Sequence, residues 1–193
     1  MLNNCSQTTG RGDLWQIDLR KRHEFLSQLM VAIGWDFLPP NSFDLDLTCF
    51  LLGDDGKLLS KEHLIFYNNL VSPDKAVEHS GDNSDGKGDG ADEIILADLN
   101  ALDQSVHEIE FVVFIDNAGS RDQVFGLLKH AFVAVEDVGN HKELLRYRLD
   151  TECPSASCVN LGKLQKERGE WKFLAEGTCS DLNLENYLQL LGA

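Results

Sequence analysis

Most of the apolar positions in this chain recur at every second residue, which is the signature of strands with one buried face. From Leu29 to Trp35 the set Leu29, Val31, Ile33 and Trp35 falls on one face, with Ala32 and Gly34 on the other. From Phe43 to Leu52 the residues Phe43, Leu45, Leu47, Cys49 and Leu51 alternate with Asp44, Asp46 and Thr48. Further strands are predicted over His63–Asn69, Glu93–Leu99, Phe132–Val138, Leu144–Leu149, Cys158–Lys166 and Glu170–Ala175. The run Glu110–Asp116 is apolar on both faces and predicts a central strand. Arg168-Gly169 between two of these segments predicts a hairpin turn, and so does Asp54-Asp55-Gly56-Lys57.

Helical periodicity is confined to two places. Asp122–His130 predicts a short helix. Asn183–Leu191 places Leu184, Tyr187, Leu188 and Leu191 on one face behind an Asp181 N-cap, which predicts a C-terminal helix lying on the sheet. About nine short strands with few helices define an all-β fold, a two-sheet β-sandwich with short peripheral helices. The chain of 193 residues suits one domain, read here as a polar extension over 1–13 followed by the sandwich over 14–193.

Composition narrows the function. The formal net charge of -15 is the wrong sign for phosphate contacts, so nucleic acid is excluded as a partner, and so is an anionic membrane surface. No segment is long and apolar enough for direct membrane insertion, and Met1–Arg11 lacks the order of a secretory signal. The expected location is cytoplasmic. The five cysteines have no framework spacing and are expected to pack as free thiols.

The acids are not evenly spread. Val71–Asp92 is the one long stretch rich in turn formers, and it ends in the run Asp82 to Glu93. Asp82, Asn83, Asp85, Asp89, Asp92 and Glu93 offer side-chain oxygens, a backbone carbonyl near Lys87 offers another, and the interleaved glycines let the chain curl. Hard cations such as calcium take six to eight such oxygens. The run has twelve residues with Asp first and Glu last, as an EF-hand loop does, but Lys87 stands where that loop needs glycine. The EF-hand is rejected and calcium kept. Asp44 and Asp46, two apart on a strand, point the same way, and Asn68 and Asn69 at a strand end add amide oxygens. The six histidines show no metal spacing, and no nucleophile elbow or phosphate loop is present, so no catalytic residue is assigned.

The order Gly34-Trp35-Asp36, Phe43-Asp44-Leu45-Asp46, Phe66-Tyr67-Asn68-Asn69, Ser72-Pro73-Asp74, then Gly81-Asp82-Asn83 through Gly88-Asp89-Gly90 to Asp92-Glu93 resembles the TerD family of bacterial tellurium-resistance and general stress proteins. Gly169-Glu170-Trp171-Lys172-Phe173 resembles that family's penultimate strand, so the likeness runs over about residues 14–192. The resemblance implies a β-sandwich that binds one or two calcium ions through the acidic run and the paired aspartates. It implies no enzymatic activity, and partners among other Ter-type stress proteins in a membrane-associated complex. Two departures stand out: Ala91 where the family commonly has another acid, and no Leu-x-Lys-Gly opening. A small-ligand module, for instance one for a cyclic nucleotide, is the second reading; a metal-dependent hydrolase is the third.

Overall fold

The computed structural model describes residues 26–36, 43–81 and 90–193. Among the described residues ten strands form two antiparallel five-stranded sheets. The first sheet contains β1 (Gln28–Gly34), β4 (Val77–His79), β5 (Glu93–Asp98), β7 (Phe132–Asp137) and β8 (Lys142–Arg148), in the order β4-β5-β1-β7-β8. The second contains β2 (Leu45–Leu52), β3 (Leu64–Ile65), β6 (Glu108–Ile115), β9 (Cys158–Glu167) and β10 (Glu170–Ser180), in the order β10-β9-β6-β2-β3. The sandwich expected from the alternating pattern is the observed fold. β6 is the central strand of its sheet, as its two apolar faces require.

The inner faces make the main core. Val31, Ile33, Leu45, Leu47, Ile95, Phe111, Val133 and Phe173 are all fully buried there. The outer face of the second sheet is also covered. Phe50, Leu52, Val112 and Phe114 pack under Tyr187 and Leu191 of the C-terminal segment, with the Phe50 and Tyr187 rings stacked at 5.0 Å. That is why β2 and β6 carry apolar residues on both faces. The helix α3 (Leu184–Leu190) is the C-terminal helix that the periodicity predicts. Its N-cap is Asn183, whose Oδ1 accepts the Asn186 N–H at 2.8 Å, and not Asp181.

Four other expectations change. The helix predicted over Asp122–His130 is replaced by α1 (Ala118–Arg121) and a single 3-10 turn at Phe125–Leu127. Asp122 takes a left-handed conformation (φ 50) that ends α1 before the predicted start. The strand predicted over His63–Asn69 shrinks to Leu64–Ile65, because Phe66 and Asn69 exchange backbone hydrogen bonds and close a tight turn. The turn-rich stretch Val71–Asp92 contains β4, paired antiparallel with β5. The free-thiol reading holds for Cys49 and Cys158, both buried, but Cys153 and Cys179 form a disulfide with Cα atoms 5.8 Å apart. Cys153 closes the short helix α2 (Leu149–Glu152) and Cys179 lies on β10. They are 26 residues apart, so only the sheet brings them together. The two hairpin turns are present. Arg168 and Gly169 both have positive φ (53 and 85), the backbone a two-residue hairpin of matching twist needs.

Candidate functional site

Gly81 (φ 108) and Gly90 (φ 111), both with left-handed backbone, stand on either side of residues 82–89 of the acidic run. Asp82, Asn83, Asp85, Lys87 and Asp89 lie between them, outside the described residues, as do the extension 1–13 and the Arg20-Lys21-Arg22 cluster. What is described is the base from which the run departs.

Three motif residues build that base. Gly34 is pressed so closely that a Cβ there would stand 2.7 Å from the Gly90 carbonyl oxygen, so only glycine fits. The next residue, Trp35, donates its backbone N–H to Asp92 Oδ2 at 2.9 Å, and its indole N–H donates to the Phe43 carbonyl at 3.2 Å. Asp92 in turn donates its N–H to the Ile33 carbonyl at 2.7 Å. Asp92 therefore locks the end of β1 to the start of β5, whatever else it holds.

Glu93 is fully buried between the sheets. β3 pairs with β2 only at Cys49 and Phe50, which leaves the backbone of Leu47 on an open strand edge. Glu93 Oε2 accepts the Leu47 N–H at 2.8 Å, and the Leu47 carbonyl lies 3.1 Å from His79 Nε2. His79 Nδ1 accepts the Gly81 N–H at 3.0 Å. That bond places the imidazole proton on Nε2, which then donates to the Leu47 carbonyl. Glu93 Oε2 and His79 Nε2 are 3.4 Å apart. Two side chains of the first sheet thus satisfy both backbone groups of one residue in the second. Sequence reasoning gave His79 no role. Its sequence signal was its place three residues before Asp82, nearer to the acidic run than any other histidine.

The other candidates stand elsewhere. Asp46 alternates with the inward Leu45 and Leu47, so it faces the outer side of the second sheet, opposite to Glu93. It lines a cleft of about 410 Å³ bounded by Tyr67, α1 and the residues leading into α3. Asp44 precedes β2 and accepts the Asp116 N–H on its carbonyl at 2.8 Å. Asn69 braces the Phe66–Asn69 turn, its amide donating to the Leu64 carbonyl at 2.7 Å and the Glu62 carbonyl at 3.1 Å; Asn68 is exposed in the same turn. Among the described residues no group of three or more His, Cys, Asp or Glu side chains is arranged to hold a metal ion.

The Ser72-Pro73-Asp74 motif is structural. Asp74 Oδ1 accepts from the Ser72 hydroxyl at 2.6 Å and the Ala76 N–H at 3.0 Å, while Oδ2 accepts the Asp103 N–H at 2.8 Å. Partial burial opposes ionisation of Asp74, but these donors outweigh it and hold the carboxyl below its ordinary value.

Fold and site together define a β-sandwich with an acidic segment rooted at one end of β5. The TerD domain model matches residues 12–190, and the chain belongs to the TerD family. It is 39% identical to the tellurium resistance protein TerD of Serratia marcescens over 163 residues, 83% of this chain and 85% of that protein. It is 38% identical to general stress protein 16U of Bacillus subtilis (strain 168), over 84% of this chain and 86% of that one. A crystal structure of a homologue of telluride resistance protein (TerD) from Streptomyces coelicolor A3(2) shares the fold, with a TM-score of 0.75 at 20% identity over 87% of this chain and 98% of that one.

Proposed function

We propose that this chain is a non-enzymatic, calcium-binding stress-response protein that acts through metal binding and protein partners of the Ter type. The observation that carries the reading is the placement of Asp92 and Glu93, two oxygen donors fixed by backbone hydrogen bonds at the exit of an acidic, glycine-rich segment. Their chemistry fits a hard cation that takes carboxylate and carbonyl oxygens. Asp82, Asn83, Asp85 and Asp89, with a carbonyl near Lys87, and the further candidates Asp44, Asp46, Asn68 and Asn69, would supply the rest of one or two coordination shells. When bound, the ion neutralises a concentration of negative charge and ties the segment to the sandwich. Asp92 and Glu93 contribute orientation: each already spends hydrogen bonds on the strand ends, so little conformational freedom remains for an ion to remove.

The family's names speak of resistance and stress and of no reaction, in keeping with a binding role. The test is a thermal melt of the full chain in millimolar calcium against chelator. A saturable shift is expected, reaching about 2.7 kcal/mol per site at a hundredfold excess over the dissociation constant. Asp82→Asn/Asp89→Asn should abolish the shift while leaving the chelator melt unchanged. Superimposable melts with and without calcium would end this reading.

A further inference from the structure

We propose that the Cys153–Cys179 disulfide is a thiol–disulfide exchange site, at which an external dithiol attacks Cys179 Sγ and Cys153 Sγ is the leaving group. This inference is independent of the calcium site.

The pair lies where terminal strands of the two sheets meet, with Tyr147 on β8 and Cys179 on β10. Its two sulfurs are not equivalent. Cys153 is only 2% exposed, whereas Cys179 is an exposed residue. The β9–β10 ladder is interrupted between Ala175 and Thr178, just before Cys179. Exchange requires a thiolate to reach one sulfur, so access selects Cys179. Tyr147 is the second observation. Its Oη lies 3.4 Å from Cys153 Sγ and 3.9 Å from Cys179 Sγ. Neither sulfur of a disulfide carries a proton, so the hydroxyl donates. A Cβ at Gly177 would stand 3.1 Å from Tyr147 Oη, so glycine leaves the hydroxyl its room. A donor beside Cys153 stabilises the departing thiolate, and a better leaving group speeds exchange.

Reduction leaves the two thiols in register. The Cys153 N–H donates to the Leu149 carbonyl at 3.1 Å, its carbonyl accepts the Ala156 N–H at 3.2 Å, and the Phe125 N–H donates to the Ala156 carbonyl at 2.8 Å. Cys179 stands opposite Val159 in the β9–β10 ladder. None of these bonds uses a sulfur, so the pair opens and closes within the folded chain. Cys49 and Cys158 do not compete: both are buried, and burial raises their thiols, that of Cys158 to about 11, which keeps them protonated.

The exchange balances without a further reagent. One thiolate of the dithiol bonds to Cys179 Sγ as the Cys153–Cys179 bond breaks, and the electron pair passes to Cys153 Sγ, which takes up a proton. The second thiolate of the dithiol then attacks its own linked sulfur, closes a disulfide in the reagent and releases Cys179, which is protonated in turn. Two electrons and two protons pass from the dithiol to the cysteine pair, and the oxidised dithiol reverses the step.

Reduction of the full chain by dithiothreitol, followed by alkylation and peptide mapping that separates Cys5, tests the proposal. Complete reduction is expected in native buffer, at a rate that low urea leaves unchanged, and oxidised dithiothreitol should close the pair again. Tyr147→Phe should slow native reduction several-fold and leave the rate in denaturing urea equal to the parent's; a variant that merely loosened the fold would be reduced faster. The asymmetry is read with dithiodipyridine on single thiols. Cys179 in Cys153→Ser should react about tenfold or more faster than Cys153 in Cys179→Ser, with the difference gone in denaturing urea. Equal reactivity of the two thiols in the native state, reduction that rises with urea in step with unfolding, or a pair that oxidised dithiothreitol fails to close would each overturn the proposal and leave the link a structural staple. The calcium melt is read separately, so either proposal can fail alone.

Discussion

Glu93, on the first sheet, accepts the backbone N–H of Leu47, on the second, at 2.8 Å inside the sandwich. The bond closes a strand edge that β3 is too short to cover. Glu93→Ala would leave the Leu47 N–H buried and unsatisfied and His79 without its neighbour. A loss of about 1–3 kcal/mol is expected in chemical denaturation in the absence of calcium. Glu93→Gln retains an acceptor and should lose less. Equal stability of the alanine variant and the parent would show that the bond is dispensable.

Asp74 gives stability with a definite pH dependence. Its carboxyl is held below the ordinary value of 3.8, so its contribution is present above that pH and disappears as the pH falls through the lower folded value. Asp74→Ala should cost about 2 kcal/mol near neutral pH, discounted for partial exposure, and its deficit should shrink in acid. Urea titrations between neutral pH and the acid limit check both statements. A deficit that grows on acidification would contradict the assignment.

Glu110 behaves in the opposite sense. Burial on the outer face of β6 raises its carboxyl above 4.5, against the hydrogen bond donated by Tyr187 Oη at 2.7 Å, which lowers it. The folded chain therefore holds this proton more tightly than the unfolded chain. That part of the stability is complete below 4.5 and is lost as pH rises through the folded value. Glu110→Gln keeps an acceptor for Tyr187 and removes the ionisation, so it should flatten the fall in stability above pH 4.5 and equal or exceed the parent at neutral pH. Tyr187→Phe should cost about 1 kcal/mol and speed amide exchange in α3.

The disulfide closes a loop between residues 26 apart. Reduction, or Cys179→Ser, should lower the unfolding free energy by about 3.5 kcal/mol on the chain-entropy account. Mass analysis of alkylated protein confirms the oxidation state before each melt. An oxidised and a reduced sample with the same midpoint would show that the link adds nothing.

The two-sheet architecture, the central position of β6, both hairpin turns and the C-terminal helix were legible because each rests on local periodicity or turn chemistry. The same rules misplaced the helix at Asp122–His130, where a left-handed residue intervenes, and missed β4, which has only three residues and exists by pairing with β5. Of the two aspartates that the spacing puts on one strand, Asp46 lies on β2 and Asp44 immediately precedes it. The spacing could not say which face of that strand would meet which partner.

That division has a physical cause. Alternation along the chain specifies which side chains leave water together, and the run Asp82–Glu93 announces oxygen chemistry by composition alone. Which open backbone group needs a partner, and which acids converge, depends on how two sheets are stacked and where an edge strand stops. Leu47 needs Glu93 and His79 only because β3 is short. Asp46 meets Asp116, Asp181 and Thr48 in one cleft only because β2, β6 and the segment before α3 share an outer face.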